Sequence, residues 1–142
     1  MWSFRIVRIM RFSIYLWFIA FECSAQTERK YPIDVAYNKC LSNDTTCGNI
    51  STCAFISYSK WDKEMEQAYI KLLKILKKEK DKAALTQSQT AWKAYRDATF
   101  KSYDNMFDLN GNKWCRLRHD YQIAIVRARA LQLKNYFEVL KK

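Results

Sequence analysis

The segment SQTAWKAYRDATF (88–100) concentrates side chains that could do chemistry. Within six positions it holds an indole, a phenol, a guanidinium and a carboxylate, from Trp92, Tyr95, Arg96 and Asp97. Such a set could form a catalytic cluster, bind a ligand or hold a helical core together. On a helix, Trp92 and Arg96 would share a face, so a joint role is geometrically allowed.

The sequence offers few groups for nucleophilic catalysis or glycoside hydrolysis. A nucleophile requires an adjacent base, and the only histidine, His119, is followed by Asp120, whose side chain would point in another direction on a helix. Glycoside hydrolysis requires two facing carboxylates, whereas Glu64 and Glu66 diverge on a helix because they are two residues apart. We therefore predict a non-enzymatic protein that uses no cofactor.

The start of the chain has the features of a secretory signal peptide. Three arginines precede the apolar run FSIYLWFIAF (12–21), which is short for a bilayer span, and the small residue Ala25 offers a cleavage site. We predict an exported protein, periplasmic or extracellular, with residues 1–25 removed and no transmembrane span in the mature chain. The alternative is that this segment remains as an uncleaved amphipathic anchor.

The chain is strongly basic even without this segment. Its formal net charge is +11, and the loss of three arginines and one glutamate with residues 1–25 leaves +9. Such a charge attracts anionic partners. Six lysines form a candidate basic patch: Lys71, Lys74, Lys77, Lys78, Lys80 and Lys82. The patch could bind an anionic polymer or a lipid headgroup, or it could be the solvated face of a helix. Nucleic acid is a less favoured partner, because the aromatic residues lie on the stripe expected to be buried.

Four cysteines follow the predicted signal peptide: Cys40, Cys47, Cys53 and Cys115. An even number in an exported chain predicts disulfides, and the residues alone leave all three possible pairings open. A zinc site is the alternative, but the chain has no CxxC pair and a single histidine. We therefore predict two disulfides and no metal.

Scarce glycine and proline favour long helices over strands. After the predicted signal peptide the chain has only Pro32, Gly48 and Gly111 of these types, whereas strands need turns that favour them. Apolar residues recur at three- and four-residue spacing. This spacing predicts three long helices, at roughly residues 53–78, 82–105 and 114–140. We predict an all-α fold, a small antiparallel bundle of about three long helices.

A polar, cysteine-containing lead, residues 26–52, precedes the helical domain, which we place at residues 53–142. Within the lead, PIDVAYNKC could form a short helix. The stretch LSNDTTCGNIST is typical of a loop in which Ser51 or Thr52 caps the next helix. The predicted disulfides would hold this lead against the bundle and support a modest core.

Three stretches of the sequence resemble one bacterial family. LTQSQTAWKAYRDA (85–98) resembles the pattern Q-x-x-W-x-x-Y-R-D-A of LprI-type lysozyme-inhibitor-like domains. DKEMEQAYIKLL (62–73) is similar to their D-x-E-L-N-x-x-Y-x-x-L, and RARALQL (127–133) is similar to their closing helix. The resemblance spans about residues 40–135. It implies an exported bacterial module that binds an envelope or extracellular protein such as a cell-wall hydrolase.

The resemblance also implies a disulfide pairing. Members often have a cysteine where this chain has Phe100, and that cysteine would pair with the one after the loop. In this chain Cys47 is the available substitute. We therefore prefer Cys47–Cys115 together with Cys40–Cys53.

The helical pattern also suggests roles for the motif residues. We expect Trp92 to fill the bundle core, and Arg96 or Asp97 to bridge to a neighbouring helix, with Arg129 as a candidate partner. The alternative is a ligand-binding surface formed by these residues and Tyr95. Because lysozymes are usually basic and this chain is basic too, a hydrolase with an acidic surface is the favoured partner.

Overall fold

Four α-helices make up the secondary structure that the computed structural model describes, over residues 30–43 and 45–141. They are, in chain order, α1 (Pro32–Leu41), α2 (Cys47–Ile75), α3 (Glu79–Met106) and α4 (Asn112–Leu140). The all-helical prediction is confirmed. The predicted number of three helices is wrong, because the N-terminal lead adds a short fourth helix. The predicted signal peptide lies outside the described residues.

The additional helix, α1, is stabilised by its packing on α2. Pro32 lies in its first turn, where a missing N–H costs little. A helix of ten residues is marginal in isolation. Tyr31, just before it, meets the Trp61 ring edge-on at 5.4 Å between ring centroids. Asp34 accepts a hydrogen bond from Trp61 Nε1 at 3.1 Å. The cause of the fourth helix is therefore tertiary, a contact with a distant tryptophan.

The start of α2 corrects the prediction of a loop up to residue 52. Helix α2 begins at Cys47, and Thr46 is its cap, with extended backbone and a side-chain oxygen that accepts a hydrogen bond from the Asn49 N–H at 3.4 Å. Neither Ser51 nor Thr52 is the cap, since both lie inside the helix. The other long helices begin and end within about three residues of the predicted bounds.

Two disulfides connect the elements at one end of the molecule. Cys40–Cys53 joins α1 to α2, and Cys47–Cys115 joins the first turns of α2 and α4. These are the pairs that the family resemblance implied. Around them a small cluster of buried residues adds Leu41 and Ile50.

Successive helices run antiparallel, so α2 and α4 are parallel to each other. Cys47–Cys115 joins their beginnings, and the ion pair between Glu64 and Lys134 joins them farther along. Helix α3 runs the other way, since Asp62 of α2 faces Arg96. The α2–α3 turn and the end of α4 therefore share the end of the bundle opposite the disulfides.

The main core lies between α2 and α4. Its largest fully buried side chains include Trp61, Met65 and Leu72 from α2 and Val126 and Leu133 from α4. Helix α3 contributes a single buried residue, Gln89, and it is a polar one. The two parallel helices therefore supply the main core of the domain, and α3 packs against them with partly buried side chains. No described helix is long and apolar enough to cross a membrane.

Candidate functional site

Trp92 lies midway along α3, at the edge of the core, and does not fill the core as predicted. Its side chain is partly buried, packs against the core from outside and has two guanidinium groups over its ring. The Arg96 guanidinium carbon is 5.4 Å from the ring centroid, and that of Arg129 is 5.8 Å away. Trp61 occupies the core position, where it is 1 % exposed. Cation–π interactions of this kind stabilise a tryptophan ring that remains partly exposed to solvent.

Arg96 makes the predicted bridge to a neighbouring helix. Its Nε donates to Asp97 Oδ1 at 2.8 Å, and its Nη1 lies 3.5 Å from Asp62 Oδ1 on α2. The expected pairing with Arg129 is wrong, because Asp97 is exposed and is paired with its sequence neighbour. Arg96 therefore connects α3 to α2 through Asp62, and Asp97 orients the Arg96 guanidinium.

Arg129 is a buried cation whose hydrogen bonds to the described residues go to neutral groups. It is 8 % exposed. Its Nε donates to Gln89 Oε1 at 3.0 Å, and its two Nη atoms donate to Gln132 Oε1 at 2.6 Å and to Ser88 Oγ at 3.2 Å. No carboxylate in the described part of the chain lies within ion-pair distance of it. Burial lowers the pKa of the Arg129 guanidinium, but arginine remains charged in proteins.

The neutral partners of Arg129 are themselves held in place. Gln89 is 3 % exposed, and its Nε2 lies 3.4 Å from Met65 Sδ. Gln132 Nε2 donates to the Tyr136 hydroxyl at 3.0 Å, which turns the Gln132 oxygen towards the guanidinium. The guanidinium is therefore pre-oriented, and it has more N–H donors than its three bonds use.

A groove of about 310 Å³ opens beside this guanidinium between α3 and α4. Its lining residues are Trp92, Tyr95, Ile125, Ala128, Arg129 and Gln132. We call this the α3–α4 groove. Tyr95 stands at its rim and is 57 % exposed. The groove brings together three of the five predicted binding residues. Arg96 and Asp97 do not line the groove, although the Arg96 guanidinium contacts the Trp92 ring that does.

Sequence reasoning missed the polar residues that support Arg129. Gln89 belongs to the Q-x-x-W part of the motif, yet no role follows from its position on one helix. Gln132 is three residues after Arg129, so the two share a face of α4, and this spacing was a usable signal. Ser88 gave no signal, because its partner lies on another helix.

The predicted basic patch lies at the opposite end of the bundle from the disulfides. Its lysines occupy the end of α2, the α2–α3 turn and the first turn of α3, and all but Lys82 are exposed. Lys82 forms an ion pair with Glu79 at 2.8 Å. This end therefore presents a concentrated positive charge at some distance from the groove.

A second pocket contains a pair of residues that the sequence did not connect. Ser51 Oγ of α2 lies 3.0 Å from His119 Nε2 of α4. Asp120, the neighbour considered from the sequence, points elsewhere and accepts a hydrogen bond from the Tyr37 hydroxyl at 2.7 Å. Burial and this bond raise the pKa of Tyr37. This pocket shares no lining residue with the α3–α4 groove.

Comparison with known proteins identifies one family. A family model described as lysozyme inhibitor LprI matches residues 38–133, which is more than half of the chain. No curated protein and no solved structure gives a match to the chain.

Proposed function

The chain belongs to the lysozyme inhibitor LprI family, and from this premise we propose that it is an exported, non-catalytic binding module. Its partner is an envelope or extracellular protein, such as a cell-wall hydrolase. The α3–α4 groove is the contact surface. An acidic side chain of the partner enters the groove and pairs with Arg129.

The single observation that carries this proposal is the burial of Arg129 with no carboxylate partner among the described residues. A buried charge is costly unless it is paired, and the amide and hydroxyl groups around Arg129 supply hydrogen bonds but no negative charge. A carboxylate accepts charge-assisted hydrogen bonds from a guanidinium, which are stronger than neutral ones. An acidic side chain of a partner would therefore supply the charge that the described residues do not provide.

The rim of the groove supports a protein partner over a free anion. Tyr95 and Trp92 provide aromatic surface beside the charge, and tyrosine, tryptophan and arginine are the types enriched at the energetic centres of protein interfaces. The net charge of the whole chain also favours an acidic partner, because complementary potentials accelerate the encounter of two proteins.

The test uses the mature oxidised domain as bait in an extract of bacterial envelopes, with the captured hydrolase then measured by calorimetry. Arg129→Gln and Tyr95→Ala should each weaken binding by at least tenfold, the loss expected for a residue at an interface centre. Phe55→Ala is the matched control, since Phe55 is an exposed aromatic residue on α2, outside the groove. Equal affinities for Tyr95→Ala, Arg129→Gln and the unchanged domain would refute the role of the groove.

A second function rests on the basic patch. Its exposed lysines could hold an anionic envelope polymer or lipid headgroup. Salt separates the two functions, because polyanion binding weakens steeply with ionic strength, whereas an interface with an apolar centre weakens less. A Lys74→Glu, Lys77→Glu double variant should abolish binding to anionic vesicles and leave hydrolase binding intact. If vesicle binding survives the double variant, the patch is only a solvated helix face.

A further inference from the structure

The second pocket lies between α2, α3 and α4, near the Cys47–Cys115 disulfide. It has a volume of about 300 Å³. A cavity of about 150 Å³ is known to hold benzene, so this one has room for a substituted aromatic ring. The lining residues are Ser51, Ala54, Phe55, Tyr58, Phe100, His119, Gln122 and Ile123. We call it the Ser51 pocket.

Its wall is mostly apolar and aromatic. Tyr58 and Phe100 meet edge-on at 5.8 Å between ring centroids, and Phe55 stands at the mouth with 70 % of its surface exposed. Ala54 and Ile123 belong to the buried core, so the floor of the pocket is fixed. Edge and face contacts with such rings favour an aromatic ligand.

A chain of hydrogen bonds assigns the protons at the polar end. Gln122 Nε2 donates to Asp104 Oδ1 at 3.3 Å, so Gln122 Oε1 must be the atom that faces His119 Nδ1 at 3.2 Å. Nδ1 therefore carries the proton, and His119 Nε2 accepts the proton of the Ser51 hydroxyl at 3.0 Å. Burial lowers the pKa of His119, which agrees with a neutral ring.

In this arrangement no described residue donates a hydrogen bond to the Ser51 oxygen. The sulfur atoms of Cys115 and Cys47 also lie near it, at 3.7 Å and 4.0 Å. Both sulfurs are in a disulfide and carry no proton. The lone pairs of Ser51 Oγ can therefore accept a hydrogen bond from a ligand in the pocket.

We propose that the Ser51 pocket binds a small uncharged aromatic molecule that carries one hydroxyl group, of the phenol class. The ring packs against Tyr58 and Phe100, and the ligand hydroxyl donates to Ser51 Oγ. A charged ligand is disfavoured, because an ion loses its hydration in an apolar pocket. This site is independent of the α3–α4 groove and of the protein partner proposed for it.

The test is a titration of the mature oxidised domain, labelled with ¹⁵N, with three probes of similar shape. They are 4-methylphenol, toluene and 4-methylbenzoate. The phenol should shift the amide resonances around Ser51 and His119 and should bind about tenfold more tightly than toluene, as one hydrogen bond predicts. Equal affinity for phenol and toluene, tighter binding of the benzoate, or shifts confined to other regions would each overturn the proposal.

Two variants locate the interaction. Ser51→Ala should reduce the affinity for 4-methylphenol to that for toluene and leave toluene binding unchanged. Phe55→Ala should weaken both probes, and because Phe55 is largely exposed, the fold should survive. If Ser51→Ala lowers the affinity for both probes equally while its circular dichroism spectrum and Tm stay the same, the hydroxyl contact is refuted.

Discussion

At the scale of single residues, Trp61 and Trp92 show how similar side chains on facing helices take different roles. Trp61 is enclosed by the core and by α1, and its Nε1 donates to Asp34. Trp92 lies between two guanidinium groups at the edge of a groove. The first indole therefore serves stability, and the second lies where the proposed partner would bind.

Replacing each tryptophan by alanine should separate these roles. Trp61→Ala should lower the free energy of unfolding by about 3–5 kcal/mol, as for other buried aromatic residues. Trp92→Ala should cost about 1–2 kcal/mol, because its contacts lie at the surface of the core. Urea unfolding followed by circular dichroism measures both values. A loss at Trp92 as large as that at Trp61 would place both indoles in the core.

His119 should make stability depend on pH. Burial lowers its pKa in the folded chain, whereas the unfolded chain has the ordinary value of about 6.5. Between these two values the unfolded chain binds more protons, so the free energy of unfolding rises with pH. This stability is present above pH about 6.5 and is lost as the pH falls through the folded pKa.

The His119→Gln variant provides the control for this dependence. His119 is the only histidine of the chain, so the variant should have a flat unfolding free energy in the window just below pH 6.5. Urea titrations at several pH values measure the difference between the two proteins. An identical slope in both proteins would show that His119 is not the responsible group.

At the scale of elements, α3 differs from the other long helices. Its one buried residue is Gln89, and ion pairs from Arg96 and from Lys93 attach it to α2. Partly exposed ion pairs contribute little stability. Helix α3 nevertheless carries the rim of the proposed binding groove, so this rim is held less firmly than the Arg129 site beneath it.

Native-state hydrogen exchange should detect this difference. The amides in the middle of α2 and α4 should exchange only by global unfolding, whereas those of α3 should exchange through local opening at a lower free energy. The comparison is made on one sample by NMR. Equal protection of all three helices would mean that α3 unfolds together with the core.

At the scale of the whole molecule, the Cys47–Cys115 disulfide encloses most of the domain. Its cysteines are 68 positions apart in the sequence, whereas those of Cys40–Cys53 are 13 apart. A cross-link stabilises a fold more when it closes a longer loop of the unfolded chain. The long-range disulfide should therefore contribute more to global stability.

Paired serine variants test this ranking. Removing Cys47–Cys115 should cost about 4 kcal/mol, and removing Cys40–Cys53 about 3 kcal/mol. Urea unfolding of the two double variants gives both values under the same conditions. A larger loss from the short-range pair would show that docking of α1 outweighs loop closure.

The sequence predicted the parts of the molecule that depend on local pattern. The helical class follows from apolar spacing and scarce glycine, and the bounds of α3 and α4 were close to the observed ones. The sequence allowed a short helix at PIDVAYNKC but did not count it among the helices of the bundle, because its stability comes from contacts with Trp61. Trp61 and Trp92 both lie on the apolar stripe of their helices. The spacing pattern alone therefore could not decide which of the two fills the core.

The candidate site was predictable only in part, for the same reason. Trp92, Tyr95 and Arg129 were named from the sequence and meet in the groove. The neutral environment of Arg129 depends on the relative positions of two helices, which periodicity does not give. Neither Ser51 nor His119 could be predicted as a site residue on its own. Each, however, lies four positions after a cysteine of the same disulfide. Once that pairing is assumed, their encounter follows from helical repeat.

The equal four-residue intervals from Cys47 to Ser51 and from Cys115 to His119 limit where insertions and deletions can occur in the gene. The disulfide joins the first turns of α2 and α4. From this point both helices rotate by the same angle per residue. One codon inserted just after Cys115 would turn all later side chains of α4 by about 100° and carry His119 and Arg129 off their present faces. Insertions and deletions should therefore accumulate in the α2–α3 turn and in the α3–α4 loop, and the intervals after Cys47 and Cys115 should keep a fixed length across descendants of this gene.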